Sequence, residues 1–269
     1  MTSITRSLYN KLTFCYRYAT SPWRRLPDFV IIGAQKSGTS SLFYYLWQHP
    51  QLKLSIEKEI HYYNYHAQVG KNLDWYRSHF PLRFTSRDKL TGEASPYYLF
   101  SEDAAVRLSR DNAKAKLLVL MRDPIERAYS AYHMNRKFTF LRRGKDPDYP
   151  SFEEAISNSD LSQEVSQLYL YRGLYAKHIN NWLKYFPQKQ FHFINSADFF
   201  SDPHSVLRDI YDFLGISETY PDNLTPKEVG NYPSIGPETQ QHLEDYFRDS
   251  NRELVALLGE NFDWASTTK

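Results

Sequence analysis

The chain has 269 residues, 41% of them hydrophobic, with 33 basic and 31 acidic side chains for a net charge of +2. This suffices for one large α/β domain and excludes a chain too polar to build a core, while near-neutral charge and the absence of a recognition motif argue against a nucleic-acid partner. The single cysteine, Cys15, excludes an intrachain disulfide and points to a reducing, cytoplasmic setting; no run of roughly 18 apolar residues marks a membrane span.

Residues 1–26 form a basic lead-in. Arg6, Lys11, Arg17, Arg24 and Arg25 occur with no acidic residue through Arg25, and the segment lacks the apolar core of a signal peptide. It reads as a solvated lead-in, with weak peripheral contact to a membrane surface as the other reading. The domain then spans 27–269. "FVIIG" (Phe29–Gly33) reads as a buried strand followed by a helix from Thr39 to Gln48, and "LDWYRSHF" as helical. "KLTGEAS" reads as a strand end entering a loop. A second buried strand runs from Ala115 to Met121, and a helix starts at Pro124. Tyr175, Ile179, Trp182, Leu183 and Phe186 have helical spacing, stopped by Pro187; "QFHFIN" is a third strand. "PHSVLRDIYDFLG" and "PETQQHLEDYFRDSNRELVALLG" are helices ended by Gly215 and Gly259. Strands alternating with helices predict an α/β single domain with a central parallel sheet and helices on both faces.

The stretch "FVIIGAQKSGTSSL" joins a strand to a helix through a glycine-bearing turn, an arrangement that directs backbone N–H groups and a helix N-terminus at an anion. Gly33 and Gly38 have the spacing of a Walker A loop, but Thr39 occupies the lysine position and Lys36 lies within the turn. A lysine there leans over a first phosphate group, which suits a short, doubly charged 5′ group better than a triphosphate. The next strand ends in Arg122 and Asp123 and shows no evident magnesium-binding acid. An ordinary strand–turn–helix, or a kinase or NTPase, are the competing readings.

In "LLVLMRDPIERAYSAY", Arg122 sits at the C-terminal end of a parallel strand, where ligands of such sheets bind. Asp123, Pro124 and Glu126 form a helix start, and Ser130 lies about two turns in. The planar fork of Arg122 suits phosphate, helped by the Ser130 hydroxyl; a salt bridge from Arg122 to Asp123 or Glu126 is the plainer reading. Two anion sites on neighbouring strand ends fit a nucleotide with phosphates at both ends of its ribose, as in 3′-phosphoadenosine 5′-phosphosulfate (PAPS).

At this point the sequence resembles the sulfotransferase superfamily, within it the heparan sulfate (carbohydrate) branch. "GAQKSGTSSL" and "RDPIERAYSAY" carry the superfamily likeness; "KEIHYYN", "SPYY", "LYAKHINNWLKYFP" and "NFDW" carry the branch likeness, from about Pro27 to Trp264. The resemblance implies the P-loop-like sulfotransferase fold, PAPS as donor and its bisphosphate (PAP) as product. It implies that Lys36, Ser37, Gly38, Thr39 and Ser40 cradle the 5′-phosphosulfate and that Arg122 and Ser130 hold the 3′-phosphate. Glu59 matches the branch's catalytic base, His61 a histidine beside it, and Tyr175 lies in a segment lining the cofactor side. The chain departs from the branch at Ala94, where a second lysine is common, and at "VGNYP", which keeps Gly230 without its basic neighbours. It also lacks a late cysteine pair, which fits a bacterial-type cytoplasmic enzyme.

The chemistry is consistent with these roles. Lys36 would stabilise charge building on the leaving oxygen, and Glu59 would accept the acceptor hydroxyl's proton. His61 shares that side if the stretch is extended. The plainer readings are a Glu59 pair with Lys58 or Lys53 and a packed His61. No tight metal-ligand spacing appears among the histidines, so no metal is expected. "NRKFTFLRRGK" (Asn135–Lys145) is the strongest basic cluster and reads as a loop, solvated or flanking a cleft for an anionic polymer. A carbohydrate hydroxyl is the expected acceptor; a small alcohol or lipid, or a nucleotide binder without turnover, are the other readings.

Overall fold

The computed structural model describes residues 12–144, 149–157, 168–227, 230 and 232–264. Its sheet has four parallel strands: β1 (Phe29–Gly33), β2 (Gly92–Ala94), β3 (Lys116–Met121) and β4 (Phe191–Asn195). They lie in the order β2-β1-β3-β4, with Phe29 opposite Gly92 on one side and Lys116 on the other. The expected three strands are present, and "KLTGEAS" supplies the edge strand β2.

The uninterrupted apolar runs of β1 and β3 reflect a sheet covered on both faces. Val30, Ile32, Leu117, Val119 and Met121 share one cluster with Leu108, Ile179 and Trp182. Phe29, Ile31, Leu118 and Leu120 share the other with Leu42, Leu46, Leu207 and Ile210. Each such fully buried aliphatic side chain contributes about 1.5–3 kcal/mol.

The helices are α1 (12–19), α2 (Thr39–Trp47), α3 (Leu73–Arg77), α4 (Glu102–Asn112), α5 (Pro124–Arg143) and α6 (Phe152–Ser157), followed by α7 (Tyr175–Leu183), α8 (Ser196–Ser201), α9 (Pro203–Leu214) and α10 (Pro237–Leu258). α4 carries little sequence signal, because its buried face is only Ala104, Ala105 and Leu108. α8 is likewise not among the expected helices; it is short, capped by Asn195 and separated from α9 by the Asp202 cap.

Two expectations are corrected. The basic stretch Asn135–Lys145 is not a loop: through Arg143 it continues α5, and Lys145 lies outside the described residues. Nor are the arginines of 12–26 solvated. Arg17 donates to the carbonyls of Ser78 (2.6 Å) and Phe80 (2.9 Å), and buried Arg24 also donates to that of Phe80 (2.8 Å). Arg25 forks onto both Asp28 carboxylate oxygens at 2.9 Å. These side chains clamp the segment to the body; Arg6 and Lys11 lie outside the described residues.

Candidate active site

β1 delivers the chain into the turn 34–38, which ends at the N-terminus of α2. Gly38 caps α2 with φ 100°, and a Cβ on it would lie 2.8 Å from the ring of Phe200. Glycine is therefore required on both conformational and steric grounds. Gly38→Ala is expected to destabilise the fold by about 1–3 kcal/mol and to weaken nucleotide binding, read as a lower Tm and a higher Kd. Lys36 also has positive φ, 72°, and lines the cleft together with Gly38, Thr39 and Ser40. Ser37 does not line it. Its side chain is fully buried, and its carbonyl accepts from Ser196 Oγ at 2.9 Å, tying the loop to α8. The sequence grouped Ser37 with the cradle because position in a loop does not reveal which side chains turn inward.

At the end of β3, Asp123 Oδ1 accepts from the N–H groups of Ile125 (2.8 Å) and Glu126 (3.0 Å) and caps α5. Arg122 donates through Nε to Glu126 Oε2 at 2.8 Å, realising one of the plainer readings. That carboxylate is 61% exposed, so the pair is a weak, water-screened one that an incoming phosphate can replace. Ser130, two turns along the same helix, lines the cleft with Arg122. Tyr175 stands behind the wall: it is buried, and its hydroxyl donates to the Arg122 carbonyl at 2.9 Å. Burial pushes its pKa up to about 12, so it remains a neutral donor that fixes the strand end.

The "KEIHYYN" segment folds as a turn, so the extended conformation that would set His61 beside Glu59 is not the one adopted. Glu59 (φ 62°) and His61 (φ 52°) both adopt left-handed backbone around buried Ile60, and a π-helical turn, Tyr62–His66, follows. Ile60 anchors the turn in the core while Glu59 and His61 face the cleft. His61 Nε2 lies 3.6 Å from Glu59 Oε2, and the other carboxylate oxygen is bonded by Lys58, not Lys53. The His61 contact, and then the Lys58 charge, outweigh burial and hold the Glu59 carboxyl at about 2. Lys58 also lines the cleft; as an adjacent residue in sequence it was read only as a neutralising partner. Asn64 was missed altogether: its Oδ1 lies 3.3 Å from His61 Nδ1, at the i, i+3 spacing of a turn. Ala94 is fully buried, and its carbonyl accepts the Glu59 N–H at 2.7 Å.

The loop, the β3 end and the Glu59 turn open into one cleft of about 2050 Å³. That exceeds the roughly 300–1,000 Å³ of a single small-molecule site and gives room for a nucleotide and an acceptor together. Lys227 lines the same cleft, its N–H donating to Ser41 Oγ at 2.8 Å, whereas Val229 and Asn231 of "VGNYP" lie outside the described residues. Asn135, Phe138, Thr139 and Arg142, farther along α5, line the same cleft. Among the described residues, no group of three His, Cys, Asp or Glu is placed to hold a metal, and no helix is long and apolar enough to cross a membrane.

The sheet and the turn after β1 define an α/β protein of the P-loop-like class. The sulfotransferase domain profile matches residues 26–246, and the chain belongs to that family. It is 30% identical to the membrane-associated sulfotransferase kil1 of Dictyostelium discoideum over 89% of this chain and 66% of that protein. It is 32% identical to the mouse heparan sulfate glucosamine 3-O-sulfotransferase 3B1 over 90% of this chain and 65% of the relative. The chain thus spans just under two thirds of both curated relatives. A crystal structure of a sulfotransferase from Alicyclobacillus acidocaldarius superposes with a TM-score of 0.74 at 27% identity, covering 91% of this chain and all of that one.

Proposed function

We propose that the protein is a PAPS-dependent sulfotransferase acting on a carbohydrate hydroxyl. The observation that carries this reading is the convergence of Lys36, Arg122 and Glu59, from three separate segments, on one cleft. Lys36, Gly38, Thr39 and Ser40 would hold the 5′ end of the donor at the α2 N-terminus, with Arg122 and Ser130 at its 3′-phosphate. When bound, PAPS supplies the activated sulfuryl group. Lys36 stabilises negative charge where the leaving oxygen forms, and ionised Glu59 takes the acceptor's proton. His61, and after it Lys58, hold Glu59 ionised, and Lys58 would supply the second positive group absent at Ala94. The carbohydrate assignment is supported by the heparan sulfate relative, and Arg142 of α5 lines the cleft, where it would meet an anionic acceptor.

The kinase reading is weakened by Thr39 standing at the lysine position of a Walker A loop, and by Asp123 Oδ1 capping α5. In the proposed setting the enzyme is cytoplasmic and bacterial in type, a reading supported by its single cysteine. Exposed Leu12, Tyr16 and Trp23 at the N-terminal segment are the surface for any peripheral membrane contact.

Calorimetric titration with adenosine 3′,5′-bisphosphate and with magnesium ATP tests the donor. Tight binding of the bisphosphate and none of ATP is expected; the reverse would transfer the assignment to a kinase. Labelled PAPS offered with heparan sulfate, phenols and sterols tests the acceptor, and turnover of phenols alone would sink the carbohydrate reading.

A further inference from the structure

Glu93 lies in the middle of β2 and is fully buried, yet no lysine, arginine or histidine pairs with it among the described residues. Both of its oxygens are occupied by hydroxyls: Tyr76 donates to Oε1 at 2.6 Å and Ser95 to Oε2 at 2.7 Å. A buried carboxyl is costly to retain, and sheet pairing requires nothing of its side chain. Its connections lead instead to the Glu59 turn.

That turn begins with backbone N–H groups that have no earlier carbonyl to receive them. Ser95 Oγ accepts from His61 N–H at 3.2 Å, while the Tyr98 hydroxyl accepts from the N–H groups of Tyr62 (3.0 Å) and Tyr63 (3.4 Å). Together with the Ala94 carbonyl on Glu59 N–H, the segment following β2 caps the whole turn. The Ser95 hydroxyl has one proton and two lone pairs. With its proton directed to Glu93, the hydroxyl turns a lone pair toward the His61 N–H. Glu59 and His61 hold left-handed backbone that non-glycine residues seldom adopt without such outside support.

We propose that Glu93 and Ser95 are positioning residues for sulfuryl transfer: the carboxyl orients the serine hydroxyl, and the hydroxyl fixes the turn that aims Glu59 and His61 into the cleft. This rests on Glu59 being the general base. The test is a double-mutant cycle of Glu59→Gln and Ser95→Ala, measured as labelled sulfate passed from PAPS to heparan sulfate and to water. Melting curves and bisphosphate affinity serve as controls for folding and donor binding. Glu59→Gln is expected to lower kcat about 100-fold, and Ser95→Ala about 10-fold with the KM for PAPS changed less than about twofold. The double variant should then be no slower than Glu59→Gln alone, because the aim of position 59 no longer matters once its carboxylate is gone. Glu93→Gln, which keeps the volume but must donate where the carboxyl accepts, should reproduce the Ser95→Ala loss, and Ser95→Thr should restore the rate. Losses that multiply to about 1,000-fold would overturn the positioning role while leaving Glu59 as base. An unchanged rate in Glu59→Gln itself would overturn both.

Discussion

Glu59→Gln is expected to lower kcat by about 100-fold or more while affinity for adenosine 3′,5′-bisphosphate stays within about a factor of two. The carboxylate faces the cleft but belongs to a turn separate from the phosphate loop and from the β3 end, so its loss leaves the anion contacts in place. A rate equal to that of the unaltered enzyme would remove Glu59 from the base role; a nucleotide binder without turnover would show no transfer in either protein. The pH dependence has a definite sign. The Glu59 pKa is depressed from 4.5 to about 2, so the carboxylate stays ionised from neutral pH through about pH 3. Its stabilising contacts with Lys58 and His61 are fully present above the unfolded-state value and are lost only as pH falls through about 2. Activity lost on acidification between pH 7 and 4 must therefore arise from another group.

Arg122→Ala should weaken binding of the bisphosphate by about 1.5–3 kcal/mol, roughly 10- to 150-fold in Kd, the scale of a charged hydrogen bond. Adenosine 5′-phosphosulfate, which lacks the 3′-phosphate, should bind both proteins alike. The prediction discriminates between the two readings of Arg122. A guanidinium serving only Glu126 would leave nucleotide affinity untouched, and calorimetry with the two nucleotides would show it. The exposed Glu126 pair does not oppose the phosphate role, since an exchangeable carboxylate is the partner a binding arginine keeps when no phosphate is present.

Much of the fold was legible in the sequence. β1, β3 and β4 are short apolar runs bounded by turn residues, and α5 announces itself with Asp-Pro and a glutamate in the first turn. That Lys36, Thr39, Ser40, Arg122 and Ser130 gather at one cleft was readable for a related reason. Each sits at a fixed offset from a strand end, and in a parallel sheet strand ends share one edge. The α5 lining of the cleft was less legible. α5 continues through the basic run that reads as a loop, because its charged residues hide the helical periodicity.

The sequence by itself determined the class of this protein: a doubly covered parallel sheet, a glycine-bearing turn with a lysine inside it, and an arginine at the end of the neighbouring strand. These depend on local chemistry, on backbone donors and on residues at short fixed spacings. Only the tertiary structure decided the direction of side chains whose backbone is set from a distance. Ser37 and Tyr175 turn into the interior, and Arg17 and Arg24 clamp the N-terminal segment rather than meeting solvent. Glu59 and His61 reach the cleft from left-handed backbone rather than from an extended strand. That conformation is unfavourable for the residues themselves, and capping groups from Ala94 to Tyr98, more than 30 positions along the chain, hold it in place.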